Sequence, residues 1–172
     1  MSYAEQFVLS NNLRPADAIL LRKKFMGMFD HFAIYLGRHR HSNKPMFAAN
    51  YTGGVQILEE HEAAEFLEKL DPEKIERFTG SERARSGAID RAWQWVNKKG
   101  YHLIFNNCEH YKNFVQFGKK YSRQVDVAGK SAMVIGGATA VAGLASRNKK
   151  AVLGGLFLLA LGGIASAAAD RD

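Results

Sequence analysis

The run Asn107-Cys108-Glu109-His110-Tyr111 holds the single cysteine of the chain. A thiol is a weak nucleophile until it ionises, and the amides and dipole of a helix N-terminus favour the thiolate. Asn106 and Asn107 are both of the type that caps such an N-terminus. An apolar face of Tyr111, Phe114, Val115 and Gly118 follows, with Lys119, Lys120 and Arg123 placed for the last turn. Cys108 is therefore predicted at the start of a helix, where the same amides can stabilise the oxyanion formed when a thiolate attacks an ester carbonyl. That position lifts it above the ordinary fate of a lone cysteine, burial as a small hydrophobe.

A nucleophilic thiol needs a base within hydrogen-bond reach in the fold, and six histidines compete for that role. His31 is the best placed, because it opens a strongly apolar run, Phe32 to Leu36, where a polar side chain calls for an explanation. His39 and His41 lie in a polar loop and His61 in an acidic run. His102, in the segment leading to Cys108, and His110, two residues after it, are rivals. A metal site is not expected: His39 and His41 flank one residue, but no carboxylate or further histidine is spaced to complete a ligand set.

The elements that must position these groups can be read from the hydrophobic pattern. Ala18–Leu21 and Phe32–Leu36 are short apolar runs bounded by Pro15, Asp17 and Gly37, and read as neighbouring strands. Met46–Tyr51 and Val55–Leu58 read as two more, separated by Thr52-Gly53-Gly54, with Arg38–Lys44 a polar hairpin loop. Ile89, Ala92, Trp93 and Val96 mark an amphipathic helix from about Arg83 to Lys98, ended by Gly100. A buried strand, Tyr101–Phe105, is predicted next. The fold class expected is α+β, an antiparallel sheet carrying His31 packed against the Cys108 helix.

Of the 172 residues, 47% are hydrophobic and 24% charged, the balance of a chain that folds. The length suits one catalytic domain, residues 1–128, and an appendage, 129–172. A net charge of +7 suits nucleic acid or an anionic membrane. Membrane is preferred, because no nucleic-acid-binding motif is present and basic residues flank an apolar tail. One cysteine excludes an intramolecular disulfide and a multi-cysteine metal site. With no secretory signal at Met1–Glu5, the expectation is a catalytic domain facing the cytoplasm.

The tail becomes Gly- and Ala-rich near residue 128. Residues 151–169 are 19 positions without a charge, close to the ~20 needed to cross a bilayer, and read as a transmembrane helix. Ser131–Ser146 is 16 residues of mostly small side chains: a weak second span, an interfacial helix or a partner packed on the first through glycines. Self-association through those glycines is a further expectation. One span is favoured, because Arg147, Lys149 and Lys150 would otherwise have to cross. The competing reading is a buried hairpin in a soluble protein.

Three blocks in this order resemble the lecithin retinol acyltransferase and phospholipase A/acyltransferase family of papain-like thiol enzymes, across about residues 14 to 120. Arg14–Ile19 resembles its Pro-Gly-Asp strand signal, with Ala16 in place of Gly suggesting a less constrained turn. Asp30–Gly37 resembles its His-Trp-Ala-Ile-Tyr-Val-Gly block, and Asn107–Tyr111 its Asn-Cys-Glu-His-Phe. The resemblance implies a permuted papain-like fold, His31 as base and Cys108 as nucleophile. It also implies attack on a phospholipid acyl ester, an acyl thioester on Cys108, transfer to water, an amine or an alcohol, no cofactor, and a C-terminal membrane anchor. The family commonly has a second histidine on the next strand. Here that strand reads Phe47–Tyr51, and Asn50 is the candidate third member, because an amide oxygen can fix the imidazole tautomer. His39 or His41 are the alternatives. An amidase or peptidase using the same dyad, and a catalytically silent membrane adaptor, are the competing functions.

Overall fold

A computed structural model of the protein describes residues 1–22, 31–51, 53–69, 71–98 and 107–171. The chain divides into two compact units, Met1–Lys119 and Lys120–Asp172. The first is α+β. Its strands are β1 (Ala18–Arg22), β2 (His31–Arg38), β3 (Pro45–Tyr51), β4 (Gly54–Leu58) and β5 (Asp71–Glu76). They form one antiparallel sheet in the order β4-β3-β2-β1-β5. Its helices are α1 (Tyr3–Ser10), α2 (Glu60–Lys69), α3 (Glu82–Trp95) and α4 (Cys108–Phe117).

β2 is apolar at nearly every position because both faces of the sheet are covered. Phe32, Ile34, Leu36, Ala48 and Val55 pack with Ala88 and Ala92 of α3 and with Cys108, Tyr111 and Val115 of α4. Ala33, Tyr35, Phe47 and Ala49 pack on the opposite side with Ala4 and Val8 of α1 and Ala63 and Leu67 of α2. Burying a side chain such as Ile34 or Phe47 contributes roughly 1.5–3 kcal/mol. α4, which opens at Cys108, is therefore held on the central strands β2 and β3. Where β2 passes Gly37 (φ +103) its pairing with β3 slips by one residue, a bulge that glycine accommodates at no steric cost.

Four of the five strands expected from sequence form, and β1 and β2 pair as neighbours. α1, α2 and β5 add to them. β5 lacks an alternating apolar pattern and contains Pro72, which a sheet accepts at an edge, and β5 is an edge strand. α3 ends at Trp95, short of the expected Lys98: Val96 is extended, and the Asn97 amide donates to Val55 O at 2.8 Å. α3 buries Arg85, Ala88 and Ala92, and Ile89 and Val96 pack on the same core; of the expected stripe Trp93 alone turns outward, 45% exposed. The expected strand Tyr101–Phe105 and Gly100 lie outside the described residues.

The second unit holds two long helices, α5 (Arg123–Ala145) and α6 (Lys149–Ala169). A two-residue ladder joins β6 (Lys120–Tyr121) to β7 (Asp170–Arg171). Both helices are long and apolar enough to cross a membrane.

Candidate active site

α4 begins where the sequence predicts. Asn107 is the N-cap, in extended conformation, and its side-chain oxygen accepts from the amides of Glu109 and His110, each at 3.0 Å. His110 completes a capping box. Its Nδ1 lies 3.4 Å from the Asn107 amide and 3.1 Å from Asn107 Oδ1, and the ring tautomer decides which contact it makes. The cap leaves Cys108 as the first helical residue. It also occupies the Glu109 and His110 amides, so the oxyanion role expected of the first-turn amides does not extend to those two.

His31 and Asn50 both approach the sulfur. His31 Nδ1 is 3.5 Å from Cys108 Sγ, and the thiol donates to the backbone carbonyl of Asn50 at 2.9 Å. Because Nδ1 faces the sulfur, Nε2 is the atom through which another residue would orient the ring. Asn50 is buried and falls on the α4 side of the sheet with Ala48 and Val55, opposite Val55 in the β3–β4 register. Cys108 itself is only 2% exposed. The carbonyl accepts from the neutral thiol and would repel a thiolate.

His39, His41 and His61 are placed apart from this pair. β2 runs from His31 to Arg38, so His39 and His41 stand beyond its far end, about 23 Å along the strand. His39 and His61 line a cavity of about 410 Å³ there with Lys44, Glu59 and Glu60. The Lys44–Glu60 ion pair raises the lysine pKa and lowers that of the carboxyl, chiefly through their hydrogen bond. His102 lies outside the described residues. His110, considered as a base from sequence, sits fully buried in the cap; the Asn-x-x-His spacing was the signal for that. Among the described residues no group of three or more His, Cys, Asp or Glu could hold a metal ion.

A set of polar side chains fixes α4 along its length, and sequence gave no warning of it. Arg91 donates from Nε to Phe114 O and Val115 O, both at 3.0 Å, so a cation meets carbonyls near the helix C-terminus. Gln116 Nε2 donates to Ala16 O and Glu76 O at 3.0 and 3.1 Å. Lys112 Nζ pairs with Glu76 at 2.7 Å and lies 4.8 Å over the Phe32 ring, beside His31 in sequence. Burial holds the Tyr111 phenol above its ordinary pKa, and its hydroxyl lies 3.4 Å from Ala92 O. Gly118, at φ +73, ends the helix by donating to Phe114 O, so the expected last-turn residues Lys119, Lys120 and Arg123 fall outside it.

The lead-in to β1 is fastened in the same way. Asp17, 1% exposed, accepts from the Arg14 and Phe78 amides at 3.0 Å, from Arg77 at 2.9 Å and from Arg85 at 3.4 Å. Arg85 also donates to Pro15 O and to Phe78 O. Ala16 between them takes φ +71 with its methyl fully buried. The turn is therefore tightly constrained without a glycine, contrary to the expectation for Ala at that place.

A model of the lecithin retinol acyltransferase family matches residues 11–121, more than half the chain. The chain belongs to this family. The match spans all five strands of the sheet and both α3 and α4. Lecithin retinol acyltransferase family members are in general acyltransferases or hydrolases. A comparison with curated proteins finds no match.

Proposed function

We propose that the protein is a thiol-dependent acyltransferase or phospholipase A that acts on glycerophospholipid acyl esters through a Cys108 thioester. The observation that carries this is the 3.5 Å approach of His31 Nδ1 to Cys108 Sγ at the first turn of α4, in a chain of the lecithin retinol acyltransferase family. His31 takes the thiol proton as Sγ attacks the acyl carbonyl carbon. The tetrahedral intermediate expels the lysophospholipid alkoxide, which receives that proton from His31, leaving the acyl group on sulfur. Water, an amine or an alcohol then attacks the thioester, with His31 taking its proton and returning it to the departing thiolate. Asn50 is the proposed third member: its carbonyl holds the resting thiol, and its buried side chain, on the α4 side of the sheet, is the candidate to orient the imidazole. The α5–α6 unit anchors the enzyme to a phospholipid membrane with the catalytic unit on the cytoplasmic side.

The test is intact mass after incubation with a phospholipid, on wild type and Cys108→Ala, with hydroxylamine to cleave a thioester. An acyl mass on the wild type alone, removed by hydroxylamine, is expected. No adduct and no released fatty acid, with amide substrates cleaved instead, would replace the ester assignment by an amidase. The near-complete burial of Cys108 supports a second reading, a silent membrane adaptor. A thiol inert to small alkylating reagents in the folded protein, with no turnover, would decide for it.

A further inference from the structure

α5 and α6 run antiparallel and touch through glycine. Gly129, Gly136 and Gly143, seven residues apart on α5, meet Gly162, Gly155 and Val152 on α6. A Cβ placed on them would come within 2.7 Å of Gly162 O, 2.6 Å of Gly155 O and 2.6 Å of Val152 N. The two backbones are thus in direct contact, and the bulky side chains are turned outward. Val134, Ile135, Val141 and Leu144 of α5 and Leu153, Leu156, Phe157 and Ile164 of α6 are all more than half exposed, Val134 by 72%. The side chains buried in the pair are few and mostly small, Val125, Ala140, Ala168 and Ala169, and its outer surface is what must be removed from water.

Length and charge say what covers it. At 1.5 Å per residue, helices of 23 and 21 residues extend about 34 and 31 Å, against a hydrocarbon core of about 30 Å. Charge is confined to the two ends. At one end lie Arg123, Asp126 and Lys130, with Asp126 bonded to Lys130 and to Ser166 at 2.7 Å, and the Ser122 amide donating to Ala169 O. At the other, Arg147 takes φ +53, and Asn148 Oδ1 accepts from the amides of Lys150 and Ala151, closing a three-residue turn. Between these ends α5 is uncharged from Ser131 and α6 from Ala151.

We infer that α5 and α6 both cross the bilayer as one glycine-packed hairpin, whose occupant on the outer face is lipid acyl chain and whose Arg147–Lys150 turn lies on the opposite side from Lys119 and Arg171. This rests on the membrane reading above and not on the chemistry of Cys108. The basic turn is no obstacle to it. Lys119, Lys120, Arg123, Lys130 and Arg171 place five cations at the hairpin's open end against three at its turn, so the charge bias still retains the open end on the cytoplasmic side. Lys130, two turns inside α5 and exposed, reaches the interface by extending its stem.

Sidedness tests this with single cysteines at Lys119→Cys, Ser146→Cys and Arg171→Cys in the full chain carrying Cys108→Ala. Sealed vesicles are labelled with a membrane-impermeant maleimide from each side, then opened with detergent. Expected is labelling of positions 119 and 171 from one side and of 146 from the other. Positions 119 and 146 on one side with 171 opposite would mean a single span by α6 and overturn the inference. All three on one side, or any one labelled from both, would overturn it as well. A position 146 that stays unlabelled in detergent is replaced by Lys149→Cys and read by the same criteria. Because the readout is labelling, failure here leaves the thioester test standing, and failure of that test leaves this one readable.

Discussion

α4 and the α5–α6 pair are held in place by opposite means. α4 is fixed by side-chain atoms that reach specific partners: the Asn107 cap, Arg91 on its last carbonyls, Lys112 on Glu76, Gln116 on Ala16 O. α5 and α6 are fixed by the absence of side chains, at Gly129, Gly136, Gly155 and Gly162. A helix that must hold one sulfur against one imidazole needs directional bonds, whereas a lipid-facing pair needs only close contact between backbones. The first region should therefore be damaged by removing atoms and the second by adding them.

The sharpest removal is the sulfur itself. Cys108→Ala is expected to lower acyl turnover by at least ~10³-fold, and His31→Ala by a comparable factor, since members of a nucleophile–base pair act as a unit. Membrane association, measured by flotation with vesicles, should be unchanged in both. Turnover retained by either variant would detach the chemistry from this pair. Next in size is Asp17→Ala, which takes the carboxylate from Arg77 and from the buried Arg85 and leaves the Phe78 amide unsatisfied. It should cost roughly 3–5 kcal/mol, read as a shift in thermal or denaturant midpoint of the first unit. A loss below about 1 kcal/mol would show that the clasp does not govern stability.

The site was legible in sequence where a residue type was out of keeping with its surroundings. His31 at the head of an apolar strand and an asparagine before Cys108 both met that test, and the structure brings Nδ1 and Sγ together. Asn50 was legible only as a residue. Its carbonyl meets the sulfur, and a backbone group leaves no trace in composition. The Asp17–Arg85 clasp joins residues 68 apart, and no local pattern encodes such a pair. α2 was missed because only Ala63 and Leu67 of its charged run are fully buried, and β5 because an edge strand beginning Asp71-Pro72 has neither alternation nor β-branched residues beyond Ile75. In the tail the glycines were conspicuous, but their seven-residue pairing needs both helices in view.

Addition is the matched test on the second unit. Gly136→Leu puts a branched side chain where even a Cβ would come within 2.6 Å of Gly155 O, while a Cβ at Gly154 would meet open space. The first should weaken the hairpin by about 1–3 kcal/mol, as overpacking does. It should also expose the α5–α6 contact to protease or to cross-strand cysteine separation. Gly154→Ala should be neutral or slightly stabilising, because alanine is the better helix former by up to ~1 kcal/mol. Equal effects of the two would mean that the glycine contact is not what holds the pair.

The smallest effect bears on the point where removal and positioning meet, the cap under Cys108. His110→Ala deletes one half of the capping box and should cost about 1 kcal/mol, the usual value of a cap. Because Cys108 is the next residue after Asn107, fraying there moves Sγ relative to His31, and kcat should fall several-fold while KM changes little. His110→Gln is the discriminating variant, since a glutamine side chain at this position can reach back to the N-cap amide. If the ring acts only through the cap, Gln restores both the melting temperature and kcat, and the pH profile of kcat keeps the shape of the wild type. If Gln restores stability but not rate, His110 takes part in proton transfer, and the Cys108–His31 pair is not the whole of the machinery.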